Sequence, residues 1–371
     1  MPSLKAAGRR DVGADLIRLL ALSFVLGVHF YTHCDIYNAA YSAPASFAVV
    51  ILRTALTPAL SLFIMLNGYF QRRKTVSASY YLGILKLLEL YIICAVVELI
   101  YHHFFFGEDL TARSFFGAIV NFTASDYSWY ILLYLGLFLL IPFLNLMYNS
   151  ISCRGHKRIL IFSLFALSAL PFSALNAFVN LCPYWWQRIW PLMFYFMGAY
   201  FGEYHPHFGV KKALLWFFSA LLIFSAFNFF VYSDASPVSI NYAQAFLYSH
   251  ESLQNAVLTP LLFLLITNLD FSSCPQSVSS ALATVSKYSY GVFLFSSMTD
   301  SFIYQWLCIL IADNRLRILL FLPGIIISGS LALLLTWLAD KLVNLIDSFI
   351  RPLAARFFSW LYHILAPDAV A

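Results

Sequence analysis

The sequence predicts an all-α integral membrane protein, with about ten transmembrane helices in one bundle and both termini cytoplasmic. Three observations carry this reading. First, the 371 residues are 61% hydrophobic and only 11% charged, with a mean hydropathy of +0.79, more apolar surface than a soluble domain needs. Second, apolar runs long enough to cross a bilayer, which takes about 20 residues each, recur along the whole chain. Third, Lys and Arg concentrate on one side of those runs. Tyr and Trp gather at segment ends, as interfacial anchors do. The formal charge of +5 belongs to basic loops and gives no reason to expect a nucleic-acid partner.

The expected spans are residues 13–33, 46–70, 80–105, 127–148, 159–180, 189–204, 213–233, 253–270, 288–311 and 318–342. The first follows Arg9 and Arg10 and imitates a signal peptide. Asp15 and Arg18 interrupt its apolar run and more spans follow, so it reads as an uncleaved helix. The second contains Arg53. The third carries Lys86, Glu89 and Glu98, the first two spaced i, i+3 to neutralise each other. The sixth is short enough to be re-entrant or little tilted. The ninth holds Asp300, an isolated carboxylate that lines a cavity if it lies within the membrane. Residues 107–126 and 234–252 are the longest outer loops. Residues 1–345 form one membrane domain and 346–371 a cytoplasmic tail, with 343–366 an amphipathic helix anchored on the membrane by Phe349, Leu353, Phe357, Trp360 and Leu361.

Orientation follows from the loops. The N-terminus and the loops after even-numbered spans hold Lys5, Arg9, Arg10, Arg72, Arg73, Lys74, Arg154, Lys157, Arg158, Lys211, Lys212 and Lys287, and the tail adds Arg351 and Arg356. Loops after odd-numbered spans hold only Arg113, Arg188, Arg315 and Arg317, of which the last two run against the pattern. The six Cys form no C-x-x-C, so no metal site is expected from them. Cys34 and Cys182 both fall in outer loops and are candidates for a disulfide. His29 and His33 share the i, i+4 spacing of a zinc pair, with His102 and His103 on the same side, but no further ligand completes a tetrahedron.

The chemistry concentrates in the first span. Arg18 and His29 are eleven residues apart, just over three turns, so they share one helix face about 16 Å apart along the axis. Asp15, three residues before Arg18, is placed to hold it. A neutral His29 is a natural general base for an incoming hydroxyl, and Arg18 suits a phosphate or carbonyl. After the second span comes Asn67-Gly68-Tyr69-Phe70-Gln-Arg72-Arg73-Lys74. Its three cations fit either ordinary membrane anchoring or the phosphates of a cytosolic nucleotide-like donor.

Taken together, Arg18-x10-His29, the Asn-Gly-Tyr-Phe followed by Arg-Arg-Lys, Ser128-Trp129-Tyr130 through Ile141-Pro142-Phe-Leu-Asn145, and Ser286-Lys-Tyr-Ser-Tyr290-Gly291-Val-Phe-Leu-Phe resemble the membrane-bound acyltransferase family 3, over roughly residues 11–345. The resemblance implies an O-acyltransferase of the bacterial plasma membrane. Such an enzyme moves an acyl group, usually acetyl, from cytosolic acyl-CoA to a hydroxyl of an extracytoplasmic polysaccharide or glycolipid. It uses acyl-CoA as donor substrate, with no tightly bound cofactor, and membrane lipids surround it. The family's essential Arg and His carry over to Arg18 and His29, and its basic pair to Arg72 and Arg73 as donor contacts, with Lys74 beside them. Asn67, Tyr69, Trp129 and Asp300 are candidates to line the cavity.

Two positions depart from the family pattern. Asn67 stands where the family usually has Ser, and an amide can replace a hydroxyl as donor and acceptor but not as a nucleophile. Ser296 stands where a second histidine often closes the ninth-span motif. Direct transfer and a covalent acyl-histidine both remain open. The rival reading is a proton-coupled small-solute or amino-acid transporter on the same membrane domain. Repeated halves with broken helices would mark it, and no such symmetry is visible. A glycan flippase would call for more spans and no donor.

Overall fold

The computed structural model describes residues 11–38, 44–172, 184–233 and 247–367, and it is helical, with no strand among them. The helices are α1 (Val12–His33), α2 (Pro44–Ala55), α3 (Ala59–Gln71), α4 (Ala78–Leu82), α5 (Leu85–Phe106), α6 (Ala112–Val120), α7 (Trp129–Ser150), α8 (Arg154–Ser168), α9 (Trp190–Tyr204), α10 (Val210–Ser233), α11 (Leu253–Thr267), α12 (Gln276–Leu310), α13 (Asn314–Arg317) and α14 (Phe321–Leu365). Five stretches are long and apolar enough to cross a membrane: Val12–His33, Ser46–Gln71, Trp129–Ser150, Val210–Val231 and Asn314–Leu365. The other expected spans contain helices that are shorter or carry more polar residues, and residues 173–180 of the fifth lie outside the described residues. Cys182 lies outside the described residues, as does most of the outer loop 234–252.

The third expected span is broken into α4 and α5 at residues 83–84, and α12 begins at Gln276 rather than near 288. Three further elements differ from the sequence expectation, each for a local reason. The second span is two helices, because Pro58 cannot donate a backbone hydrogen bond and the chain turns at 56–58. The loop 107–126 contains α6, started by a reciprocal capping box between Thr111 and Ser114. The tenth span does not end near 342. Helix α14 runs unbroken through 45 residues, about 67 Å, roughly twice the hydrocarbon thickness. The tail to Leu365 is therefore its continuation. Arg351 clasps Asp347 one turn back, with Nε 3.0 and 2.8 Å from the two carboxylate oxygens. Phe349, Leu353, Phe357 and Trp360 remain exposed along one stripe.

The chain divides into two compact units built from interleaved segments: Met1–Val28, Tyr37–Tyr69 and Phe162–Ser289 in the first, and His29–Ile36, Phe70–Ile161 and Tyr290–Ala371 in the second. Four of the five boundaries cut through helices, α1, α3, α8 and α12, and the fifth falls between α1 and α2.

In the first unit α10 packs on α2 and α11. Uncharged polar side chains lock these helices. Asn228 Nδ2 donates to Thr54 Oγ1 and Gln254 Oε1, both at 2.9 Å, and Asn255 Nδ2 donates to Ser61 Oγ at 2.8 Å. Such bonds between membrane helices contribute on average about 0.6 kcal/mol each. Helices α3 and α9 approach so closely that a Cβ on Gly68 would overlap the Tyr195 carbonyl, and one on Gly198 would overlap that of Met65.

In the second unit α14 packs on α4 and α5. Its buried residues are mostly small, Gly324, Ser328, Ala332, Thr336 and Ala339, and three of them meet α1 or α12: Gly324 lies against Phe30 and Leu307, Ser328 against Asp300, and Thr336 against Gly291. Tyr80 stacks on Phe138 with centroids 4.5 Å apart, and its hydroxyl donates to the Phe138 carbonyl at 2.7 Å. Lys86 turns to Asn344 Oδ1 at 2.9 Å, so the neutralising pair expected with Glu89 is replaced by a contact to α14.

Candidate functional site

Helix α1 ends in the second unit, where its last turns present His29 and His33. His29 Nδ1 lies 2.8 Å from Asp300 Oδ2 on α12. Asp300 is fully buried, whereas the His29 side chain keeps 14% of its surface exposed. A bare carboxylate there would be costly, and its lone pairs are met: Ser328 Oγ donates to Oδ1 at 2.5 Å, and the Tyr127 hydroxyl lies 3.4 Å from Oδ2. Ser328 is in turn 2.9 Å from Thr299 Oγ1. Tyr127 stacks on the imidazole, with ring centroids 3.8 Å apart and planes 22° apart. His33 Nε2 is 3.0 Å from the Tyr127 hydroxyl.

This geometry fixes what His29 can do. An ionised Asp300 accepts the Nδ1 proton, which selects one tautomer and leaves the Nε2 lone pair available. Nε2 has no hydrogen-bond partner among the described residues. A general base or nucleophile held by a carboxylate is the outcome. Ser297, one turn before Asp300, donates to Glu98 Oε1 at 2.8 Å, so a second buried carboxylate is anchored on the same helix.

Asp15 and Arg18 form a separate cluster in the first unit. Arg18 Nη1 is 3.2 Å from Asp15 Oδ1 and 3.2 Å from Ser286 Oγ, and Ser286 donates to the same Asp15 oxygen at 2.6 Å. Asp15 is buried and the Arg18 side chain is 31% exposed, so the guanidinium is fixed at its base while part of it stays accessible. The groups that meet the His29 imidazole are Asp300 and Tyr127.

The basic turn follows α3. Asn145 of α7, itself buried, donates from Nδ2 to the carbonyls of Gln71 and Lys74, both at 2.7 Å, and Asn149 donates to that of Arg72 at 3.2 Å. These bonds hold the turn while Arg73 and Lys74 face outward and Arg72 is half-buried. Arg154, Lys157 and Arg158 open the helix that follows α7.

The remaining candidates are dispersed. Asn67 and Tyr69 are half-buried in the last turns of α3, with Tyr69 against Phe263 and His205 at centroid distances of 5.6 and 6.0 Å. Trp129 is 42% exposed; its neighbour Tyr130 is the buried one, packed edge-on to Phe293. Ser296, in place of a second histidine, bonds back to the Phe293 carbonyl at 2.8 Å.

Sequence reasoning missed Asp300 as the partner of His29, and it missed Tyr127, Ser286 and Asn145 as holding groups. Only Asp300 carried a signal of its own, an isolated charge in a span. Ser286 and Asn145 were visible only as letters in motifs.

The model of a family described as an acyltransferase domain, that of acyltransferase family 3, matches residues 11–340. No match was found among curated proteins or solved structures. The match takes in every cluster described above and most of the chain, and on that ground the chain belongs to acyltransferase family 3 and is a membrane acyltransferase.

Proposed function

We propose that the protein transfers an acyl group, acetyl foremost, from cytosolic acyl-CoA to a hydroxyl of an extracytoplasmic cell-envelope glycan, in the bacterial plasma membrane with both termini in the cytoplasm. The observation that carries the proposal is the His29–Asp300 pair, with Nε2 left open. In the direct route Nε2 takes the proton of the acceptor hydroxyl. The oxygen attacks the thioester carbonyl, the C–S bond breaks, and the departing sulfur receives the proton from Nε2. Asp300 stabilises the imidazolium in between. In the two-step route Nε2 itself attacks the thioester, the C–S bond breaks, the thiolate takes up a proton and the Nδ1 proton passes to Asp300; the acceptor oxygen then attacks the acyl-imidazole, the C–N bond breaks, and a proton returns to Nδ1. Arg72, Arg73 and Lys74 hold the CoA phosphates, and Arg18, clasped by Asp15 and Ser286, offers a second fixed guanidinium for an anionic or carbonyl group.

The test is label transfer from radiolabelled acetyl-CoA in membrane vesicles carrying the full chain, with the vesicles' own envelope glycans as acceptor. Wild type is expected to label the glycan fraction and release CoA, and His29→Ala to reduce both to background. Label that stays on wild-type protein identifies the two-step route. Background release by folded wild type across several acyl donors would sink the proposal and turn attention to solute uptake.

The clamp on the basic turn makes a second prediction. Asn145→Ala frees the carbonyls of Gln71 and Lys74 and loosens the cations. KM for acetyl-CoA is expected to rise about fivefold with kcat little changed, the equivalent of roughly one hydrogen bond's ~1 kcal/mol. An unchanged KM would remove the turn from donor binding.

A further inference from the structure

We propose that Tyr127 and His33 form a proton path that connects the buried His29–Asp300 pair with water; the inference rests on His29 acting in acyl transfer by the two-step route. Asp300 is fully buried and His29 nearly so, and Nε2 is reserved for substrate. In the two-step route the acyl group occupies Nε2, so the Nδ1 proton must leave as the acyl-histidine forms and return as it breaks down, and it needs another way. Tyr127 supplies it. Its hydroxyl is 3.4 Å from Asp300 Oδ2 and 3.0 Å from His33 Nε2, and His33 is exposed. His33 stands one turn beyond His29 on α1, so both rings meet Tyr127 from the same helix face.

The tyrosine is positioned for the purpose by packing. One face of its ring lies on the His29 imidazole, and the ring is also 6.1 Å from that of Phe293. The other titratable groups around His33 are Tyr304, with ring centroids 6.0 Å apart; Cys308, whose Sγ is 3.6 Å from the His33 carbonyl; and Asp126, next to Tyr127 in the chain. Tyr304 also interacts with Asp300, but the hydrogen bond to His33 Nε2 comes from the Tyr127 hydroxyl.

The step balances. Asp300 Oδ2 takes the proton from His29 Nδ1 and hands it to the Tyr127 oxygen as the Tyr127 hydroxyl gives its own proton to His33 Nε2. His33 then releases a proton to water. One proton has moved, Tyr127 and Asp300 end as they began, and the reverse sequence reloads Nδ1. The path keeps the pair in the tautomer that exposes the Nε2 lone pair at the start of each turnover.

The test uses the full chain in the same vesicles with labelled acetyl-CoA. His33→Ala is expected to slow turnover about tenfold and to recover in millimolar imidazole, which replaces the lost proton carrier. His33→Gln keeps a hydrogen bond to Tyr127 but carries no proton, and it should be as slow as His33→Ala. Tyr127→Phe keeps the stacked ring, loses about tenfold as well, and gains nothing from imidazole, because the gap lies further in. Wild-type rates in His33→Ala or Tyr127→Phe, full activity in His33→Gln, or a His33→Ala defect that imidazole does not touch would each overturn the path. In those cases His29→Ala remains inactive and the acyl-transfer reading stands. Inactivity of wild type itself would overturn both.

Discussion

Asp300→Asn should lower kcat by about 10²–10⁴-fold while leaving KM for acetyl-CoA near its wild-type value. The amide fits the same space but carries no charge. It no longer stabilises the imidazolium that forms when His29 takes a proton, and it no longer dictates which ring nitrogen holds the proton in the resting state. The donor phosphates would not notice, since the basic turn is held by Asn145 and Asn149 and shares no hydrogen bond with Asp300. Steady-state CoA release gives both constants, and a thermal melt separates chemistry from folding. A kcat within twofold of wild type, or a loss matched by an equal loss of folded protein, would make Asp300 a structural residue only.

Gly68→Ala should produce a large stability loss, matched among the described helix glycines only by Gly198→Ala. The new Cβ meets the carbonyl of Tyr195, part of the α9 backbone, which cannot rotate aside as a long side chain would. Overpacking of this kind costs about 1–3 kcal/mol, and here the upper end is expected. Gly198→Ala acts on the same close approach from the other helix, against Met65, so the two losses should not add. Gly136→Ala in α7 is the control. No atom lies within 4 Å of its would-be Cβ, and alanine is the better helix former. Melts of the three variants check the order. Gly68→Ala melting with Gly136→Ala would show that α3 and α9 are free to separate. Gly68 thus has a packing role distinct from any part Asn67 plays in binding.

Local physics was legible in the sequence, and contacts made by distant segments were not. Run length and polarity gave the helical membrane class. The i, i+3 spacing gave the Asp15–Arg18 pair, which the structure makes at 3.2 Å. The family followed from the Arg18–His29 spacing and three further motifs, and the match over 11–340 bears it out. All of these are properties of neighbours within a few turns. The partners that hold the candidate site residues are of another kind. Asp300 lies 271 positions from His29, Ser286 lies 271 from Asp15, and Asn145 lies 74 from Gln71.

Hydropathy also misjudged continuity. A proline with no N–H to give split one apolar run into α2 and α3. An Asp347–Arg351 clasp and a buried face of small residues carried α14 past the point where apolar composition fades. By itself the sequence determined which residues were too costly to bury without cause. The tertiary structure decided which groups meet that cost, because a buried charge is neutralised only by what folding brings within hydrogen-bond reach.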